Sequence, residues 1–163
     1  MHTLTLIRHA KSSWENPQLP DLERPLGKRG LRDAPKIGGF LKNMKFSTDV
    51  CLLSPSRRTR QTLQLLGQDN PALLKVVQED AKIYEADYTT LLALIKQQTQ
   101  ANLTIIGHNP GFTDLLNAIS DSRIANLPTC GVAQIRFDME RWSDISQTRG
   151  VLQLFVTPKS LST

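Results

Sequence analysis

The sequence of 163 residues predicts an α/β protein: a three-layer α/β/α sandwich, built as a single domain around a mostly parallel central sheet. Two observations predict it. Apolar runs of strand length alternate with segments whose apolar residues recur at spacings of three and four, the pattern of strands joined by crossover helices. Three of the strands also stop abruptly: Leu4-Thr5-Leu6-Ile7 at Arg8-His9, Cys51-Leu52-Leu53 at the arginine-rich Ser54 to Thr62, and Ile105-Ile106-Gly107 at His108. Open α/β sheets bind their ligands outside the carboxyl ends of the strands, so these polar groups fall where a ligand would sit.

In chain order, the first strand is expected over Thr3 to Arg8, with His2 at the surface at its start. From Lys11 to Arg24 the chain holds Pro17 and Pro20 and little periodicity, and it reads as a loop over the ligand edge. Trp14 in that loop either anchors it to the body or walls the mouth of a site. Pro25 holds Arg24 in extended backbone. A helix is expected from about Gly27 to Asn43, with Leu31, Ala34, Ile37, Leu41 and Met44 on one face and Pro35 near its first turns or at a kink. Lys28, Arg29, Arg32, Lys36 and Lys42 form its solvated side.

The second strand, Asp49 to Leu53, leads into a helix from Ser56 to Leu66 whose amino terminus adds backbone donors to the ligand edge. Leu73 to Val77 reads as a short strand, Lys82 to Tyr84 as an irregular approach, and Tyr88 to Gln98 as a helix turning Leu91, Leu92, Leu94 and Ile95 to the core. The third main strand, Leu103 to Gly107, precedes a helix from Pro110 to Ile119. Gly131 to Asp138, alternating Val132, Gln134 and Arg136 with Ala133, Ile135 and Phe137, and Val151 to Thr157 read as antiparallel edge strands.

Composition narrows the classes. Hydrophobic residues are 39% and charged residues 21%, an ordinary globular balance. No amino-terminal basic region precedes a long apolar stretch and no run reaches membrane-spanning length, so a cytoplasmic protein without a membrane role is expected. Cys51 and Cys130 lack metal-ligand spacing, and Cys51 reads as a buried structural thiol. The net charge is +5, and residues 1 to 60 carry 12 Lys and Arg against 5 Asp and Glu. That field suits a phosphate-bearing substrate. Nucleic acid would require aromatic residues among the charges, whereas aromatics are 6% and Phe40, Phe46, Phe112 and Phe155 fall at core-like positions.

A strand followed by Arg8-His9-Ala10, then Ser54-Pro55-Ser56-Arg57-Arg58-Thr59-Arg60-Gln61-Thr62, then Gly107-His108 resembles the signature of the histidine phosphatase superfamily, with its phosphoglycerate mutase-like fold. Asp21-Leu22-Glu23-Arg24-Pro25-Leu26, Gly107-His108-Asn109-Pro110-Gly111 and the short length resemble most the SixA-type phosphohistidine phosphatases. The resemblance runs from Leu4 to about Pro158. It departs from the mutases at Ala10, where glycine is common, and at Glu15, where they place Asn.

Phosphoryl transfer is catalysed by positioning and by electrostatic stabilisation, and arginine suits it because its planar fork binds two phosphate oxygens and stays charged. The candidates are Arg8, Arg58 and Arg24, with His108 as a further donor and Ser12 as a weaker contact. Arg57 and Arg60 fall outside the pattern and read as solvated. The resemblance implies His9 as nucleophile, forming a phosphohistidine intermediate that water hydrolyses, with no metal or cofactor. It implies a phosphorylated protein bearing phosphohistidine as partner; a monomer is compatible with this. Two alternatives stand: a phosphatase for a small monoester with Glu85 as general acid, and a non-catalytic phosphate-binding module. A phosphohistidine substrate needs the acid least, since imidazole leaves neutral once its ring nitrogen is protonated.

Overall fold

The computed structural model describes residues 1–161. Its centre is one six-stranded sheet: β1 (His2–Arg8), β2 (Val50–Leu53), β3 (Val77–Glu79), β4 (Asn102–Gly107), β5 (Val132–Phe137) and β6 (Val151–Val156), in the order β3-β2-β4-β1-β5-β6. β1 and β2 flank β4 in parallel and β3 joins β2 in parallel, while β5 runs antiparallel to both β1 and β6. The two tail strands are therefore antiparallel as expected, with β6 alone at the edge.

Four helices cover the two faces: α1 (Lys28–Asn43), α2 (Arg57–Asp69), α3 (Tyr88–Lys96) and α4 (Gly111–Ile119). Alternation along the strands divides the core between them. Ile7, Cys51, Leu53 and Ile106 pack on the face of α1 and α2 with Ile37, Leu41 and Leu66. Leu4, Leu6, Leu52 and Ile105 point the other way, to Leu91 and Ile95 of α3 and Phe112 and Leu116 of α4. Each such buried aliphatic side chain contributes about 2 kcal/mol of hydrophobic stabilisation. The parallel strands β1, β2 and β4 are buried on both faces, so they read as continuous apolar runs rather than as alternation.

Several expectations are corrected. His2 is buried inside β1, where its Nδ1 lies 2.9 Å from the Met139 carbonyl and its ring stands edge-on to Trp142, because the antiparallel pairing with β5 extends one residue further back, to His2 opposite Phe137. On α1, Leu31 is 50% exposed and Met44 is also exposed, and the buried face turns towards Gly30, Asp33, Ala34, Ile37, Gly38 and Leu41. Close approach sets that rotation: a Cβ on Gly30 would stand 2.2 Å from the Lys11 carbonyl oxygen. Pro35 lies within α1 without ending it.

Leu73 to Val77 is mostly not strand. Pro71 fixes a helical φ and opens a 3₁₀ turn, Pro71–Lys75, which leaves only Val77–Glu79 to pair with β2. α3 stops at Lys96, before Gln98, and Phe155 on the edge strand is exposed. Both cysteines are buried and free, and burial pushes each thiol up to about 12. Among the described residues no helix is long and apolar enough to cross a membrane.

Candidate active site

β1 and β4 end side by side, with Arg8 paired in register to Gly107, so His9 and His108 leave the sheet at the same edge. The His9 backbone is pinned on both sides. Its amide donates to the Gly107 carbonyl at 3.1 Å, and its own carbonyl accepts from Cys130 at 2.9 Å. The next amide, of Ala10, donates to Thr62 Oγ1, whose hydroxyl donates to the Arg58 carbonyl. Gln61 holds the other loop by accepting from the Leu26 amide. The Arg-x-x-Gln-Thr spacing thus ties the start of α2 to both neighbouring loops. Ala10 is buried in ordinary backbone rather than in the left-handed region, so glycine is not required there.

The His9 side chain is buried, and its Nδ1 lies 2.7 Å from the Ala10 carbonyl. A carbonyl only accepts, so Nδ1 carries the proton and Nε2 keeps its lone pair. Burial pushes the imidazole down to about 3; the bond to Ala10 opposes this, while His108 and the Arg58 and Arg8 guanidiniums push the same way. At neutral pH this is an uncharged imidazole with an available nitrogen.

Around it stand three guanidiniums. Arg8 donates from Nη1 to the Leu127 carbonyl at 2.9 Å. Arg58, in the first turn of α2, donates from Nη1 to the Asp21 carbonyl at 2.8 Å and from Nη2 to Asp21 Oδ2 at 2.9 Å. Arg24 donates from Nε to Asp21 Oδ1 at 3.1 Å and from Nη1 to Ser12 Oγ at 2.7 Å. The Trp14 ring lies 3.6 Å from the Arg24 guanidinium carbon and is 67% exposed, so Trp14 covers Arg24 rather than anchoring its loop to the body. Among the described residues, the only fully buried side-chain nitrogens or oxygens without a hydrogen-bond partner are Arg8 Nε and Arg58 Nε. An unmade bond of that kind costs about 1–3 kcal/mol.

His108 closes the cluster, its ring centroid 5.3 Å from that of His9. Nε2 is 2.7 Å from Ser54 Oγ, and Arg58 Nη2 is 3.4 Å from Nδ1. Arginine only donates, which assigns the proton to Nε2. Burial pushes this imidazole down to about 4, helped by Arg58 and opposed by Asp21, with Arg8 adding to the fall. In this state His108 has no N–H to spare for a ligand; it gains one only by taking a proton at Nδ1.

The structure brings Arg8, His9, Arg58 and His108 together, with Arg24 and Ser12 adjoining through Asp21. Glu85 stays apart: it is exposed, in left-handed backbone (φ 56°), and has no hydrogen bond or ion pair with these side chains. Its neighbour Tyr84 enters instead, edge-on to His108 with 5.5 Å between ring centroids, and donates its hydroxyl to Asp21 Oδ2. Burial pushes the Asp21 carboxyl up, but the bonds from Tyr84, Arg58 and Arg24 outweigh it and bring it down to about 2. Burial and the same bond push Tyr84 up to about 12. Arg57 and Arg60 are exposed, Arg60 on Glu79 and Arg57 on the Glu23 carbonyl. Sequence reasoning assigned no role to Asp21, Tyr84 or Ser54, although Asp21 and Ser54 open two of the motifs that carry the resemblance.

Residues 4–111 match the family model of the histidine phosphatase superfamily (branch 1). An uncharacterised protein of Mycobacterium tuberculosis is 31% identical over 163 aligned residues, covering 94% of this chain and all of that one. Among solved structures, a candidate phosphohistidine phosphatase SixA from Agrobacterium tumefaciens superposes with a TM-score of 0.82 at 26% identity, over 96% of this chain and 98% of the other. The protein histidine phosphatase SixA in complex with tungstate also gives 0.82, at 20% identity, over 98% of this chain and 99% of that one.

Proposed function

The chain belongs to the histidine phosphatase superfamily and is a phosphatase, and from that premise we propose that it removes phosphate from a protein phosphohistidine by way of a phosphorylated His9. The observation that carries the reading is the state of His9: buried, uncharged, its Nδ1 tied to Ala10, its Nε2 unengaged. A binding module has no use for a nitrogen held ready to attack.

In the first step His9 Nε2 attacks phosphorus while the bond from phosphorus to the substrate imidazole breaks; that imidazole leaves neutral, its other ring nitrogen already carrying a proton. In the second, water attacks the phosphorus of phospho-His9 as the bond from phosphorus to Nε2 breaks; inorganic phosphate leaves carrying the protons of the water, and Nε2 regains its lone pair. Charge on the transferring oxygens is met by Arg8 and Arg58, whose unpartnered Nε–H groups are donors already free of solvent. The dianion also supplies the negative charge that lets His108 take a proton at Nδ1 and donate it as a hydrogen bond. Tungstate in a SixA of the same fold is a phosphate-like oxyanion and agrees with such a site. Glu85 is exposed and makes no bond to His9, which favours a leaving group that needs no strong acid.

Turnover of a phosphohistidine-bearing protein and of p-nitrophenyl phosphate, each with wild type and His9→Ala, tests the reading. The expected result is faster release of phosphate from phosphohistidine, lost in the variant. Preference for the monoester would make this a metabolite phosphatase, and turnover that survives His9→Ala would remove the mechanism.

A further inference from the structure

Arg24 and Arg58 come from a loop and a helix 34 positions apart, and they meet at one residue. The Asp21 carboxylate accepts from Arg24 Nε at Oδ1, from Arg58 Nη2 at Oδ2 and from the Tyr84 hydroxyl at Oδ2, while its backbone carbonyl accepts from Arg58 Nη1. Arg58 is thus gripped by the backbone and side chain of one residue, which fixes the plane of its fork. Asp21 stands in a 3₁₀ turn, Asp21–Glu23, whose residues are none of them buried. Packing does not hold the turn down, so its ion pairs place it over the site.

We propose that Asp21 is the positioning residue of this enzyme: its carboxylate fixes the Arg24 and Arg58 guanidiniums in the spacing and plane that receive the phosphoryl group. The inference rests on the phosphatase reading above. Without this carboxylate the two like charges lose their common counterion and separate, and each keeps its charge but not its aim. Asp21 also acts on His108 through space. Arg58, Arg8, His9 and Tyr84 face that imidazole, and Asp21 is the negative group that favours its protonated form. Tyr84 is the uncharged partner of the carboxylate, and its removal would leave the carboxylate and both arginines in place.

Asp21→Asn and Tyr84→Phe separate positioning from mere stabilisation. With a phosphohistidine substrate, Asp21→Asn is expected to lower kcat about 30-fold with KM changed less, since aim matters most in the transition state. Tungstate binding, followed by calorimetry across pH, supplies a second readout independent of turnover. Protonated His108 favours the anion, so binding weakens as pH rises through the His108 titration, and in Asp21→Asn that loss is expected at lower pH. Tyr84→Phe, which keeps the carboxylate and its charge, is expected to lower kcat less than Asp21→Asn and to move the pH profile less. Asp21→Asn within threefold of wild type with an unmoved profile overturns the proposal. So does a loss shared equally by both variants in step with lowered melting temperature. A wild type that forms no phospho-His9 overturns the function reading instead, and the tungstate comparison still decides the role of Asp21.

Discussion

Arg58 and Arg60 leave α2 two residues apart and meet opposite fates. Arg58 is 5% exposed, between Asp21 and His108, with a buried Nε–H that nothing accepts; Arg60 lies on the surface and spends its guanidinium on Glu79. Two residues along a helix turn the side chain by about 200°, so one arginine faces the sheet edge and the other faces water. A third basic group makes the same point: Arg29 and Arg32 with Lys159 line an open surface cleft, and both arginines pair with the buried Asp33. Charge alone does not distinguish these places. What sets the Arg58 region apart is convergence on two uncharged imidazoles and donors left without acceptors.

Substitutions on the two sides of α2 break or sharpen that contrast. Arg58→Ala is expected to lower kcat/KM about 1,000-fold, the loss typical of a preorganised donor to a developing oxyanion, whereas Arg60→Ala should stay within about twofold. Steady-state kinetics checks both, and comparable losses would end the distinction. Arg24→Ala should cost about 30-fold, less than Arg58→Ala because Arg58 makes a contact to His108 whereas Arg24 bonds to Asp21 and Ser12. Glu85→Gln and the pair Arg29→Ala, Arg32→Ala should each leave phosphohistidine turnover within about threefold, as exposed groups do.

The smallest effect is on stability. His9 and His108 are held near 3 and 4, below the 6.5 of a free imidazole, because burial disfavours their charged forms. Between these values the unfolded chain binds protons that the folded chain refuses. Stability from these residues is therefore full above about pH 6.5 and declines as pH falls towards 4. The melting midpoint should drop by on the order of 10 °C over that window, and by less in His9→Asn. A midpoint flat from pH 6.5 to 4.5, above the Asp21 titration, would show that the imidazoles are not held uncharged.

The contrast also explains what the sequence could reveal. A strand ending is a local event, so Arg8, His9 and His108 were legible at the ends of their apolar runs, and the motif spacing selected Arg58 over its two neighbours. Gln61 and Thr62 were legible as letters but not as ties, since their partners Leu26 and Ala10 lie 35 and 52 residues away. Asp21 and Tyr84 meet only in the folded chain, from a loop and a 3₁₀ turn 63 residues apart. The buried face of α1 was misplaced because helical period counts apolar side chains, whereas close approach selected glycines. His2 read as a surface residue because its cover, Met139 and Trp142, comes from the far end of the chain.

The most direct test of the central claim is to trap the intermediate. Purified protein is mixed with a phosphohistidine substrate, quenched in base within milliseconds, digested and examined by mass spectrometry for acid-labile phosphate. Phosphate on the peptide holding His9, absent in His9→Ala and formed as fast as turnover, is the predicted result. Phosphate released at the wild-type rate with no adduct on His9 would contradict the account.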